Sequence, residues 1–260
     1  MTVASSTAAS PPTTDDAAAC STRGCTPFRP TSGLASPASG RPCRSSGAAM
    51  YFSVPSELRC CPMGEDFIFL SLRTDRYSLL QGAPADRFRR FLAGAATDCD
   101  IEWLAARQIV VATELATAPA APPIPRPRSS AIDGPLPAAG MGAVAAAICA
   151  QRKARRDLAR RRLGEIIEDI AGARRVENTP DIEASRIIAS AFQRARRYAP
   201  AIDQCLVRGV AMRRLLAGRD ARLLIGVTIP FSAHCWVQVG DTVLTDSLDL
   251  VLSFQPILSV

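Results

Sequence analysis

Residues 221–247 read ARLLIGVTIPFSAHCWVQVGDTVLTDS, and this stretch constrains the fold more than any other. Ala221–Ile229 is an apolar, β-rich run, and Pro230-Phe231-Ser232 is a turn. His234–Val239 is the next strand, and Thr242–Ser247 follows after Gly240-Asp241. Strand-sized apolar runs separated by short Gly/Asp and Pro/Ser punctuation read as antiparallel hairpins. Helical spacing dominates the residues before them. Leu158, Leu163, Ile166, Ile167 and Ile170 form one stripe within 141–176, and Ile187, Ile188, Ala191 and Phe192 form another within Ile182–Tyr198. Helices followed by an antiparallel sheet predict an α+β fold.

The hairpin also holds the chain's one histidine, His234, with Asp246 twelve residues later. Register decides whether they meet, because a one-residue slip sends a side chain to the other face. A two-residue Gly240-Asp241 turn pairs Val239 with Thr242 and sets Cys235 opposite Asp246. A three-residue loop, Val239-Gly240-Asp241, pairs Gln238 with Thr242 and therefore His234 with Asp246. Gly240 suits the left-handed position of such a loop, and this register is the expectation. On it Cys235 faces away.

Cys205 stands upstream, in the first turn of a helix that runs through Leu206, Val210, Met212, Leu215 and Leu216 and stops at Gly218. Pro200 ends the preceding helix and Asp203 is the candidate N-cap. Orphan N–H groups at a helix start lower a thiol's pKa, and a nearby histidine lowers it further. The chemistry expected is nucleophilic: Cys205 attacks, His234 moves the proton, and Asp246 holds the imidazole. Asp241, Asp249 and Asp203 are weaker choices for the carboxylate. Gln204 is a conceivable oxyanion donor beside the Cys205 N–H. The order Cys, His, Asp is the one papain-type and transglutaminase-type enzymes use.

Composition removes other classes. An apolar content of 48% over 260 residues supports a real core. The nine cysteines are irregularly spaced, and one histidine cannot support a Cys/His zinc site, so no metal is expected. Free thiols suit a reducing cytosol. No basic region followed by an apolar core opens the chain, so no secretory signal is visible. Pro135–Ala150 is shorter than the ~20 residues a membrane helix needs. The net charge of +7 gathers in Arg152–Arg162 and Arg186–Arg197, read as solvated helix faces.

Along the chain, residues 1–49 are Ala-, Ser-, Thr-, Pro- and Gly-rich and expected to be disordered. Met50 opens a different sequence and is a possible true start. Residues 50–113 read as a small α+β module with strands at Tyr51–Val54, Asp66–Leu72 and Tyr77–Leu80. Helices follow at Ala85–Leu92 and after a cap at Thr97 or Asp98. Three strands followed by helices make a winged-helix-like arrangement. A DNA-binding role is disfavoured because acidic and basic residues balance there and no arginine-rich recognition helix is present. Residues 114–140 are Pro- and Ala-rich and read as a linker, with a catalytic domain over 141–260.

Two resemblances sharpen this. GEDFIFLSLRTDRYSLL resembles the strand–turn–strand of the leader-recognition domain of peptide-modifying systems, in which a precursor's leader adds as an extra strand at the sheet edge. The resemblance implies leader contacts from Phe67, Phe69, Leu70, Tyr77 and Leu79. Cys205-Leu206, Ala221–Val227, His234–Val237, Asp246 and the ending FQPIL resemble the transglutaminase-like cysteine peptidase of lasso-peptide biosynthesis, the B protein of those systems. Cys235 departs from the small residue usual after the histidine. The resemblance implies a fused leader-binding module and papain/transglutaminase-like domain, no cofactor, and a precursor peptide as substrate. It implies an ATP-dependent, asparagine-synthetase-like cyclase as partner, since no phosphate loop is present in this chain. Nucleic acid and membrane are not expected partners. A transglutaminase-type acyltransferase is the alternative, because the same three residues serve both.

Overall fold

The computed structural model describes residues 51–114, 124–172, 182–198 and 204–260. The expectations on 1–49, on a start at Met50, on Pro200 and on Asp203 lie outside the described residues.

The first part runs β1 (Tyr51–Ser53), β2 (Leu58–Met63), β3 (Asp66–Ser71), β4 (Arg76–Leu80), α1 (Ala83–Leu92), α2 (Asp98–Ala106) and β5 (Val111–Thr113). β2, β3 and β4 form an antiparallel meander in that order, and β1 pairs with β5. The expected strands and helices are there, and β2 is an addition. Its sequence, LRCCPM, lacks alternation and contains Pro62, which a strand tolerates at a sheet edge. Thr97 caps α2: its hydroxyl accepts from the Asp100 N–H at 3.2 Å, and the Asp100 carboxylate accepts from the Thr97 N–H at 3.1 Å. Arg90 and Arg87 of α1 reach the same buried carboxylate at 2.7 and 3.2 Å, which ties the two helices together.

β3 is buried on both faces. Phe67 and Phe69 pack edge-on against Phe88 of α1 at 4.9 and 5.1 Å. Ile68 and Leu70, on the other face, join a larger core that also contains Ile166, Ile167, Phe192, Met212 and Val237. A continuous apolar run such as DFIFL is what a strand covered on both sides requires.

The second part runs β6 (Ser129–Ser130), α3 (Met141–Leu158), α4 (Leu163–Gly172), α5 (Ile182–Ala195), α6 (Cys205–Leu215), β7 (Ala221–Thr228), β8 (Ser232–Val239), β9 (Thr242–Val243), α7 (Leu248–Leu252) and β10 (Gln255–Ser259). The sheet order is β10-β7-β8-β9-β6, antiparallel except for β6 against β9. Mixed helices and largely antiparallel sheets make the fold α+β.

Two expectations are corrected here. The helix read across 141–176 is two helices. α4 begins at Leu163, whose N–H donates to the Asp75 carboxylate at 3.1 Å, so the turn after β3 caps a helix 88 residues away. Gly164 then lies under that turn: a Cβ there would sit 2.8 Å from the carbonyl oxygen of Leu72. The described part of the segment read as a linker, 124–140, is not a free connector. It supplies β6 to the sheet, and Asp133 accepts from the Leu248 N–H at 3.0 Å.

Candidate active site

α6 lies against β7 and β8 because Gly209 leaves it room. A Cβ on Gly209 would come within 2.7 Å of the Cys235 sulfur and 2.8 Å of Leu223. This close approach brings the first turn of α6, with Cys205, beside the start of β8, with His234. Gly226 faces His234 across the β7–β8 ladder. A side chain there would strike the Trp236 ring at 2.7 Å. The glycine thus admits Trp236 and Phe254, whose rings lie 6.5 and 5.2 Å from the His234 ring.

The structure uses the register that was not expected. Val239 pairs with Thr242 and Gln238 with Val243, so the turn is the two-residue Gly240-Asp241. Gly240 has φ 56°, as the first central residue of a type II′ turn needs. Asp246 nevertheless reaches His234, with its Oδ2 3.3 Å from the Nε2. The reason is that β9 ends at Val243. The Leu244 N–H still donates to the Val237 carbonyl at 2.8 Å, but the Val237 N–H goes to the Thr245 hydroxyl at 3.1 Å. Strict alternation stops there, and Asp246 is released from the face the register assigned to it.

His234 lies between its two partners. Its Nε2 lies 3.3 Å from Asp246, and it stands close enough to Cys205 for the imidazole and the thiol to shift each other's pKa. Burial pushes the Cys205 pKa up. His234 and the backbone N–H groups of Cys235 and Leu206 outweigh that, and hold the thiol below its ordinary value. Burial pulls His234 down, but Asp246 and Cys205 raise it to about 9. Burial raises the Asp246 carboxyl, yet His234, the Arg208 charge and the Thr245 hydroxyl keep it below the usual range. The arrangement favours thiolate and imidazolium side by side. Cys235 is buried, and desolvation pushes its thiol well above the ordinary value, which suits a packing role.

Asp241 and Asp249 are exposed and distinct from the buried Asp246, and Asp203 lies outside the described residues. The Gln204 amide, with its oxygen turned to the acceptor position, accepts from the Arg155 guanidinium of α3. Of the residues taken from the leader-binding resemblance, Phe67, Phe69 and Leu70 are buried at 5, 3 and 0% exposure, so their surfaces are already occupied within the fold. Tyr77 and Leu79 are different. Leu79 is 48% exposed on the edge strand β4. Tyr77 stacks obliquely on Phe231 at 5.2 Å. Burial and the nearby Cys235 and Cys205 sulfurs raise its phenol pKa.

Sequence reading missed Arg208, whose Nη2 lies 2.8 Å from Oδ1 of Asp246. It also missed Ser130, whose hydroxyl donates to the Asp246 carbonyl at 2.7 Å. Arg208 had a signal: it stands three residues after Cys205, on the same side of the helix. Ser130 had none, being a small polar residue in a Pro-rich run.

Residues 148–259 match the Transglutaminase-like superfamily. The match gives a domain of the transglutaminase-like kind over that span and suggests activity of the cysteine-peptidase or acyltransferase kind. The matched span contains Cys205, His234 and Asp246, and it leaves β1–β5 and β6 outside. No curated protein and no solved structure matches the chain. Among the described residues, no cluster of His, Cys, Asp and Glu fits a metal ion, and no helix is long and apolar enough to cross a membrane.

Proposed function

We propose that the protein is a cysteine peptidase that removes the leader from a ribosomally made lasso-peptide precursor, beside an ATP-dependent, asparagine-synthetase-like cyclase. The observation that carries the reading is His234, 3.3 Å from Asp246 and in electrostatic contact with the Cys205 thiol at the start of α6. The Cys205 thiolate attacks the carbonyl at the leader–core junction and forms a tetrahedral oxyanion, to which the helix-start N–H groups donate. Collapse breaks the C–N bond, and His234 gives its proton to the leaving amine of the core. Water, deprotonated by His234, then hydrolyses the leader thioester. The freed α-amine is the group a cyclase joins to an acidic side chain.

The leader assignment rests on the winged-helix-like first module. β4 is an edge strand, so one row of its backbone groups is outside the ladder and open to an added strand. Tyr77 of that edge strand packs on Phe231 at 5.2 Å, three residues before His234, and Leu79, Phe231 and Ile229 are about half exposed. In this reading Phe67, Phe69 and Leu70 support the strand from behind, and Tyr77 and Leu79 meet the peptide. A reducing cytosol, where Cys205 stays a thiol, is the compartment proposed.

The test is to incubate the protein with a candidate precursor, with and without the cyclase, and follow mass. Cleavage at one junction that disappears in Cys205→Ala supports the reading; equal cleavage by the variant overturns it. The superfamily match also suits acyl transfer. Added primary amine separates the two: a leader amide in place of the leader acid identifies an acyltransferase.

A further inference from the structure

We propose that Arg208 is a positioning residue for the triad, clamping one carboxylate oxygen of Asp246 so that the other is aimed at His234. The proposal rests on the catalytic reading of Cys205, His234 and Asp246.

Asp246 lies beyond the end of β9, where no strand pairing orients it. Besides the Thr245 hydroxyl, which also bears on the carboxylate, three contacts do so instead. Ser130 holds its carbonyl at 2.7 Å, Arg208 holds Oδ1 at 2.8 Å, and His234 meets Oδ2 at 3.3 Å. Arg208 and Cys205 are three residues apart on α6, so one helix turn carries both the nucleophile and the clamp. The Arg208 and Asp246 side chains are only 14 and 9% exposed. Burying such a pair desolvates two charges and returns little net stability compared with an apolar pair. What the ion pair supplies here is direction: Arg208 fixes one oxygen, and the plane of the carboxylate then fixes the other. Among the described residues, the Cys235 thiol of β8 and the Tyr77 phenol of β4 also stand near the triad, both pushed upward chiefly by burial, and Arg155 of α3 holds Gln204 beside Cys205.

Two readouts test this without any peptide substrate. His234 is the only histidine, so its ring titration by NMR needs no assignment. Alkylation of Cys205 by iodoacetamide is followed residue by residue by mass. In Arg208→Met, a loosened Asp246 supports His234 less. The His234 pKa falls by about one unit and the Cys205 alkylation limb rises, so the thiolate–imidazolium window narrows from both sides. Below the limb, alkylation slows by up to about tenfold. If both pKa values rise together, Arg208 acts only as a through-space charge; if neither moves, it is only structural. Either result overturns the proposal. Should Arg208→Met fail to fold, Arg208→Met combined with Asp246→Asn leaves no unpaired buried ion. That double variant also loses the Arg208 charge, so against Asp246→Asn alone its two limbs shift only upward together, and a further narrowing of the window overturns the clamp. An ordinary thiol profile in the unaltered protein would instead count against the catalytic reading.

Discussion

The N–H of Val237 donates to the hydroxyl of Thr245 at 3.1 Å, where a regular hairpin would use the carbonyl of Leu244. This one substitution of side chain for main chain ends β9 and turns Asp246 toward His234. Thr245 is 2% exposed. Thr245→Val therefore leaves a buried N–H without its acceptor, at a cost of about 1–3 kcal/mol. The expected result in thermal denaturation is a lower midpoint, with Cys205 alkylation losing its low-pH limb. Thr245→Ser keeps the oxygen and should restore both.

The pH dependence of stability follows from two opposed shifts. His234, raised to about 9, contributes stability that is complete below its ordinary 6.5 and is lost as pH rises through 9. Cys205, lowered from 9.0, contributes stability complete above 9.0 and lost as pH falls through its folded value. Where Cys205 is a thiolate in the folded protein, the imidazole holds the proton that the unfolded chain keeps on its thiol. The two slopes oppose each other, so urea denaturation should show a shallower pH dependence between 6.5 and 9 than either group alone would give. Cys205→Ala removes one of the two, and Asp246 still supports His234. Its stability should then decline by on the order of 1–2 kcal/mol over that range. A flat profile for the variant would refute the raised His234 value.

Gly209 is predicted to be intolerant of any side chain. Gly209→Ala places a methyl 2.7 Å from the Cys235 sulfur and 2.8 Å from Leu223. Overpacking of this kind costs about 1–3 kcal/mol. It also pushes the start of α6 from β8, so peptide cleavage should fall more than stability alone explains. Cys235→Ala removes the nearest of those atoms and should recover part of the loss in the double variant. Cys235→Ala alone should retain cleavage.

Phe231 tests the proposed peptide path. It is 53% exposed and contacts Tyr77 at 5.2 Å. Phe231→Ala should raise KM for a precursor severalfold, an effect of about 1 kcal/mol for a lost aromatic contact. The alkylation profile of Cys205 should not change. An unchanged KM would remove Phe231 from the path.

The sequence by itself determined most of the element types and pointed to Cys205, His234 and Asp246. The apolar runs at 66–72 and 221–229 and the helical stripe of 182–198 appear where their chemistry put them, whereas the expected three-residue loop is the two-residue Gly240-Asp241 turn. Residue type and spacing singled out those three residues, and the fold places Asp246 3.3 Å from His234 by a route the expected register did not contain. Tertiary structure decided what depends on partners distant in the chain. Asp75 splits one apolar stripe into α3 and α4 by capping Leu163 from another module. Ser129–Ser130 becomes a strand only because β9 offers it an edge. The register chosen by Gly240 sets Cys235 opposite Asp246 by strict alternation, and Thr245 undoes that. Periodicity describes a chain only while its ladder continues, and the contact between His234 and Asp246 forms just past the point where the ladder stops.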